Sequence, residues 1–104
     1  MDVKVEIYKN RMVVSGRGKA VTVDAKALFT TNRLLVGRFT PAVHCLREGL
    51  DLIGAKSFLG FRKPLLLIIP CEMVDGGLSE IEERILREVG LSAGSGKVEV
   101  RPRD

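Results

Sequence analysis

The sequence contains few of the residues that metal centres and redox sites use. It has one histidine, His44, and two cysteines, Cys45 and Cys71, among 104 residues. The histidine count excludes a multi-histidine metal site, and the cysteines lack the C-x-x-C spacing of zinc and redox motifs. His44 and Cys45 are neighbours, but adjacent residues on a helix or strand point in different directions. We therefore predict two reduced, partly buried thiols and a histidine without a chemical role.

Long apolar runs are also absent. The longest, residues 65–69, is far shorter than the roughly 18 residues of a membrane span. Residues 1–10 alternate charged and apolar side chains and lack the basic start and apolar core of a secretory signal. These features predict no integral membrane segment and a cytoplasmic location.

Positive charge is concentrated in the first part of the chain. The formal net charge is +4, and residues 1–40 hold eight Lys or Arg against three Asp or Glu. A basic region of this kind suits nucleic acid, an anionic lipid surface or an acidic protein surface. Aromatic residues, which stack on bases, make up only 5% of the chain, and no RNP, KH or zinc-finger signature occurs. The candidate interaction residues are Lys9, Arg11, Arg17, Lys19, Arg33 and Arg38.

The N-terminal part, residues 1–37, is predicted to be an antiparallel meander. Residues 3–8, 11–15 and 19–23 alternate apolar and polar side chains, as strands with one buried face do. Asn10 and the Gly16-Arg17-Gly18 segment supply the turns. We also predict two short strands in residues 27–37, around residues 31–33, and a loop over residues 38–41, because Pro41 restricts the residue before it.

The second part, residues 42–101, is predicted to contain helices and a parallel βαβ unit. Apolar residues recur at helical spacing in residues 42–63, where glycines favour short helices, the firmest at residues 50–59. Residues 65–69 are all apolar, which predicts a central strand covered on both faces and closed by Pro70. Ser79 and Glu82 form a capping box, Gly94 suits the end of that helix, and residues 97–101 alternate as a last strand. The chain thus predicts one α/β domain, residues 1–104, with a mixed sheet of about five strands.

Two blocks of this second part resemble the bacterial MreB-like, actin-like family. Residues 63–100 (KPLLLIIPCEMVDGGLSEIEERILREVGLSAGSGKVEV) match its proline-bounded apolar strand, its helix rich in Glu and Arg, and the Ala-Gly pair before the next strand. Residues 43–53 (VHCLREGLDLI) resemble the segment that precedes this strand. The resemblance implies a ribonuclease-H-like, actin-like subdomain in the order β-β-β-α-β-α-β.

The chain departs from that family where nucleotide would bind. ATPases of this superfamily carry a glycine- and Asp-containing turn between their first two strands, whereas this chain has Tyr8, Lys9 and Asn10 there. No residues remain for the second phosphate loop, the adenosine site or the second domain. We therefore expect no nucleotide, metal or other cofactor and no catalytic residues.

Two further parts of the sequence give weaker indications of a site. Glu72 and Asp75 follow the central strand, where α/β folds often place sites, and Asp51 is a third carboxylate that could serve metal binding or acid–base chemistry. Gly16 to Lys19 resemble a phosphate-binding turn only superficially, because the P-loop pattern is missing.

The leading functional hypothesis is a non-catalytic protein-interaction module of a cytoskeletal or cell-shape assembly, with a protein partner or with self-association. The alternative is a nucleic-acid-binding module that uses the basic N-terminal third.

Overall fold

The computed structural model describes residues 2–55 and 63–102. Its elements follow the predicted order β-β-β-α-β-α-β. They are β1 (Asp2–Tyr8), β2 (Arg11–Gly16), β3 (Lys19–Asp24), α1 (Phe39–Leu52), β4 (Leu65–Pro70), α2 (Glu80–Ser92) and β5 (Lys97–Val100).

A single five-stranded sheet has the strand order β3-β2-β1-β4-β5. The first three strands form the predicted antiparallel meander, and β1 pairs with β4, and β4 with β5, in parallel. Arg17 and Gly18 both have positive φ, as a two-residue hairpin turn between β2 and β3 requires. The predicted mixed sheet is therefore confirmed.

The predictions around the first helix were partly wrong. Helix α1 begins at Phe39, inside the predicted loop 38–41, because Pro41 lies in the first helical turn, where no backbone N–H is needed. It ends at Leu52, so the helix predicted at residues 50–59 is not formed over residues 53–55, and residues 56–59 lie outside the described residues. Gly49 lies inside the helix and does not interrupt it. Glycine suits this position because a Cβ there would lie 2.5 Å from Cγ2 of Val14.

The two strands predicted in residues 27–37 do not form. Asn10 holds this segment instead. Its side-chain Oδ1 accepts hydrogen bonds from the backbone amides of Phe29 (2.9 Å) and Thr30 (2.8 Å). Its backbone amide donates to Thr30 Oγ1 (2.9 Å). Side-chain bonds of this kind replace a strand ladder. Fully buried Phe29 anchors the segment in the core.

The second helix is as predicted. The amide of Glu82 donates to Ser79 Oγ (3.2 Å), and the Glu82 carboxylate accepts from the Ser79 amide (3.3 Å), so the capping box is formed. Gly94 follows the C-cap residue Ala93 and has a φ of +111°.

Both helices pack on the same face of the sheet. Helix α1 approaches Val14 of β2 at Gly49, and α2 approaches Ile68 and Val98 at Gly90. The register places Val14 and Ile68 on one face, because each is opposite Val5 of β1. The prediction that both faces of β4 are covered is not met within residues 2–55 and 63–102, where no helix or strand packs on the other face.

No helix among the described residues is long and apolar enough to cross a membrane.

Candidate interaction surface

The sheet face without helices is a surface that the described elements leave uncovered. Its centre is apolar: Leu65, Leu67 and Ile69 of β4 and Val13 of β2 are only partly buried. Among the described residues, none of these four belongs to the hydrophobic core or to the partly buried side chains packed against it. We call this surface the helix-free face; it also includes Asp2, Lys4, Glu6, Tyr8, Arg11, Ser15, Ala20, Thr22, Asp24, Lys97, Glu99 and Arg101.

The register places charges of both signs around this apolar centre. Lys4 is opposite Leu67, Glu6 is opposite Ile69, and Glu99 is opposite Leu67 on the other side. The described residues of the face carry four basic side chains, Lys4, Arg11, Lys97 and Arg101, and four acidic ones, Asp2, Glu6, Asp24 and Glu99.

Some of these charges are already engaged within the chain. Arg101 pairs with Glu99 at 2.7 Å, and the Arg11 guanidinium lies 4.5 Å from the centre of the Tyr8 ring. The face therefore combines an apolar strip with a balanced polar rim, which is the composition of protein-binding surfaces.

The carboxyl ends of β1 and β4 meet at one end of the sheet. There the amide of Lys9 donates to Glu72 Oε2 at 2.6 Å, and the amide of Cys71 donates to the Ile7 carbonyl at 2.9 Å. The turn after β1 is the position at which the sequence resemblance to actin-like ATPases implied a phosphate loop. In this chain the Glu72 carboxylate accepts a hydrogen bond from the Lys9 amide of that turn and adds negative charge beside it.

Comparison with known proteins places the chain in a family. No family model matches it. It is 32% identical over 93 residues to the uncharacterized protein YjaA of Escherichia coli (strain K12), and the alignment covers 86% of this chain and 73% of YjaA. The chain belongs to the YjaA family. This membership assigns no activity to the chain.

In this member of the YjaA family, the six predicted interaction residues lie at two ends of the sheet. Lys9 lies in the turn between β1 and β2 and Arg11 follows it, whereas Arg17 lies in the turn at the opposite end of β2 and Lys19 begins β3. Arg17 Nη1 donates to the Gly54 carbonyl.

The other two predicted residues belong to the first end. Arg33 and Arg38 are exposed in the segment after β3, which Asn10 ties to the turn between β1 and β2. Since β2 spans six residues, about 20 Å of strand separates the two groups. The basic residues do not form one patch.

The predicted carboxylates are also separated. Glu72 and Asp75 follow β4, whereas Asp51 is near the end of α1, which runs toward the opposite end of the sheet. Among the described residues, no group of three His, Cys, Asp or Glu side chains could hold a metal ion.

Cys45 does not have the environment of a reactive thiol. Burial, together with the smaller effect of the nearby carboxylates Glu48 and Asp24, raises the pKa of the Cys45 thiol to about 11. Its Sγ lies 3.5 Å from the Val23 carbonyl, while neighbouring His44 is exposed. Neither cysteine forms a disulfide, as predicted, and both are buried rather than partly buried.

Two of the cavities near the helices are too small for a sizeable ligand. The one between residues 34–36 and α2, lined also by Pro70 and Leu78, has about 10 Å³ of free space, which suffices for about one water molecule. The one beside Lys26, His44 and Cys45 has about 90 Å³.

Sequence reasoning missed the helix-free face, although β1 carries a signal for it. Lys4 and Glu6 alternate with the buried residues Val3, Val5 and Ile7, so one face of β1 is charged. Once β1 is paired with β4, the same face of β4 must share that uncovered environment. The run of apolar residues in β4 does not indicate this uncovered face, because the same run is compatible with a strand covered on one face or on both.

Proposed function

We propose that the chain is a non-catalytic protein-interaction module that receives a partner protein on the helix-free face. The observation that carries the proposal is the strip of Leu65, Leu67 and Ile69 left without a covering element among the described residues. Uncovered apolar strips with a polar rim are characteristic of protein-binding surfaces. Following the sequence resemblance, we assign the fold to the MreB-like, actin-like lineage and the module to a cytoskeletal or cell-shape assembly.

The charges of the face favour a protein over nucleic acid. Nucleic acid binds surfaces of positive potential, because affinity comes from neutralised phosphates. Glu6 and Glu99 lie on either side of the apolar strip and would repel phosphates there. A protein partner with apolar residues at its centre and charges of both signs at its rim fits this face.

The turn after β1 supports the non-catalytic part of the proposal. The bond between the Lys9 amide and Glu72 removes a donor that a phosphate would need and places a carboxylate beside it. We expect that ATP with magnesium leaves the amide NMR signals of Lys9, Asn10 and Glu72 unchanged. Saturable shifts at these three residues would contradict the non-catalytic assignment.

Site-specific photo-crosslinking in cells tests the docking face. A photoreactive phenylalanine analogue at position 67 should give a covalent adduct with a second protein species, because Leu67 is at the centre of the face. The matched control is the same analogue at Arg84, an exposed residue on α2. Absence of a protein adduct at position 67, or equal adducts at both positions, would refute docking on this face. Recovery of crosslinked RNA or DNA instead would favour the alternative that the basic residues bind nucleic acid.

A further inference from the structure

The two edges of the sheet differ in how they are protected. Strand β5 has four residues and is followed closely by Pro102, and Arg87 Nη1 of α2 donates to the Val98 carbonyl at 2.8 Å. Short length, proline and an occupied carbonyl all prevent another strand from pairing there. Strand β3 has six residues, contains no proline and is the opposite edge.

The hydrogen-bond pattern identifies the unpaired groups of β3. A two-residue turn makes Gly16 and Lys19 a hydrogen-bonded pair, so Val21 and Val23 also direct their backbone groups toward β2. The amides and carbonyls of Ala20, Thr22 and Asp24 therefore point away from the sheet. Within residues 2–55 and 63–102 these backbone groups have no partner. The side chains of Ala20 and Thr22 are too short to shield them.

We propose that β3 pairs antiparallel with β3 of a second copy of this chain, through a two-fold axis at Thr22, and so joins two sheets into one. This register places Thr22 opposite Thr22 of the second copy and Ala20 opposite Asp24. All three outward-facing residues then form pairs that exchange both backbone hydrogen bonds. A two-fold register shifted by two residues leaves one of the three without an outward-facing partner.

The side chains also fit this register. Two threonines opposite each other on neighbouring strands are a favourable pair, and Asp24 meets alanine rather than a second carboxylate. On the helix side, partly buried Val21 lies opposite Val23, so the apolar layer continues across the junction. Helix α1 packs on β2 and β3 alike, which puts the two copies of α1 about 10 Å apart, a normal helix-packing distance.

The proposal shares with the proposed function only the premise that the chain acts through protein contacts. It uses the β3 edge, whereas the partner protein binds around Leu67. Each can therefore fail without the other.

Charged residues introduced at position 22 test the two-fold axis. Sedimentation of the wild-type chain should show a dimer at tens of micromolar. Thr22→Lys and Thr22→Glu should each weaken dimerisation at least tenfold, because each places two like charges opposite each other. An equimolar mixture of the two variants should restore the dimer, since Lys then faces Glu. Lys97→Glu on β5 is the matched control and should dimerise as the wild type does.

Several results would overturn the proposal: a wild-type monomer at 500 µM, a Thr22→Lys dimer of wild-type affinity, or a mixture that stays monomeric. Amide exchange of the variants checks the fold, which should be unchanged because position 22 is on an edge and its side chain is exposed. If the crosslinked protein adduct at position 67 still forms in the monomeric Thr22→Lys variant, the helix-free face and the β3 edge bind independently.

Discussion

Strands β1 and β4 are the two central strands, and alternate side chains along them are in different environments. Toward the helices, Val5 and Ile68 are 0% exposed and belong to the hydrophobic core. On the helix-free face, the neighbouring residues Glu6 and Leu67 are only partly buried. The stability of the domain therefore depends mainly on the face of the sheet that the helices cover.

Truncation of neighbouring residues on β4 should give very different losses of stability. We expect Ile68→Ala to lower the free energy of unfolding by about 2–5 kcal/mol, because it removes core contacts and leaves a cavity. Leu67→Ala should lower it by less, roughly 1 kcal/mol, because that side chain already contacts solvent. Urea unfolding followed by circular dichroism measures both variants.

Equal losses for the two variants would show that Leu67 is as well covered as Ile68. The proposed docking face would then be part of the interior of the folded chain, and the contrast between the two faces would not hold.

The buried thiol on the covered side should make stability fall at alkaline pH. The pKa of Cys45 is raised from 9.0 to about 11 in the folded chain, mainly by burial. As the pH rises above about 9, the unfolded chain loses this proton first, so unfolding becomes easier until the folded thiol also ionises. We expect a loss of roughly 2–3 kcal/mol that develops between pH 9 and pH 11.

Urea unfolding at pH 8 and at pH 11 measures this loss, and Cys45→Ala is the control for all other groups that titrate in this range. The wild type should lose more stability than Cys45→Ala over the interval. Equal losses in both would show that burial does not hold the Cys45 proton.

The close approach of α2 to the sheet should produce a smaller effect. A Cβ on Gly90 would lie 2.6 Å from Cγ2 of Val98 and 3.2 Å from Cδ1 of Ile68. We expect Gly90→Ala to cost about 1–2 kcal/mol, because the clash exceeds the gain of about 1 kcal/mol in helix propensity. Thermal unfolding of the single and double variants with Val98→Ala measures this cost.

In the double variant the smaller residue at position 98 makes room for the methyl group. The two changes should therefore cost less together than the sum of their separate costs. Additive costs would mean that α2 does not approach β5 this closely.

The order and type of the elements could be predicted because their signals are local. Alternation specifies β1 to β3, and the bond between Ser79 and Glu82 specifies the start of α2. Proline is a less specific signal, because Pro41 is compatible both with a loop and with the first turn of a helix, where it lies. The residues of segment 27–37 suggested strands, but its conformation depends on the distant side chain of Asn10.

The candidate surface depends on information that no local pattern contains. Whether β4 is covered on one face or two depends on where both helices cross the sheet, and the apolar run alone is compatible with either. Likewise, the six basic residues are close in sequence, but Lys9 and Arg17 lie at opposite ends of strand β2. Composition showed the charge surplus, and only the register shows that the helix-free face does not share it.

The position of β1 between β2 and β4 also determines an order of assembly. Its bonds to β2 link neighbours in the chain, whereas its bonds to β4 must wait until Leu65 has been synthesised. Contacts between distant residues form more slowly, because a longer loop must close first. We therefore expect the meander to form first and β4 to complete the sheet, which pulse-labelling of amides during refolding would reveal as later protection of β4 than of β2. Until then one edge of the central strand is unpaired, and the growing chain is briefly open to association with the wrong strand.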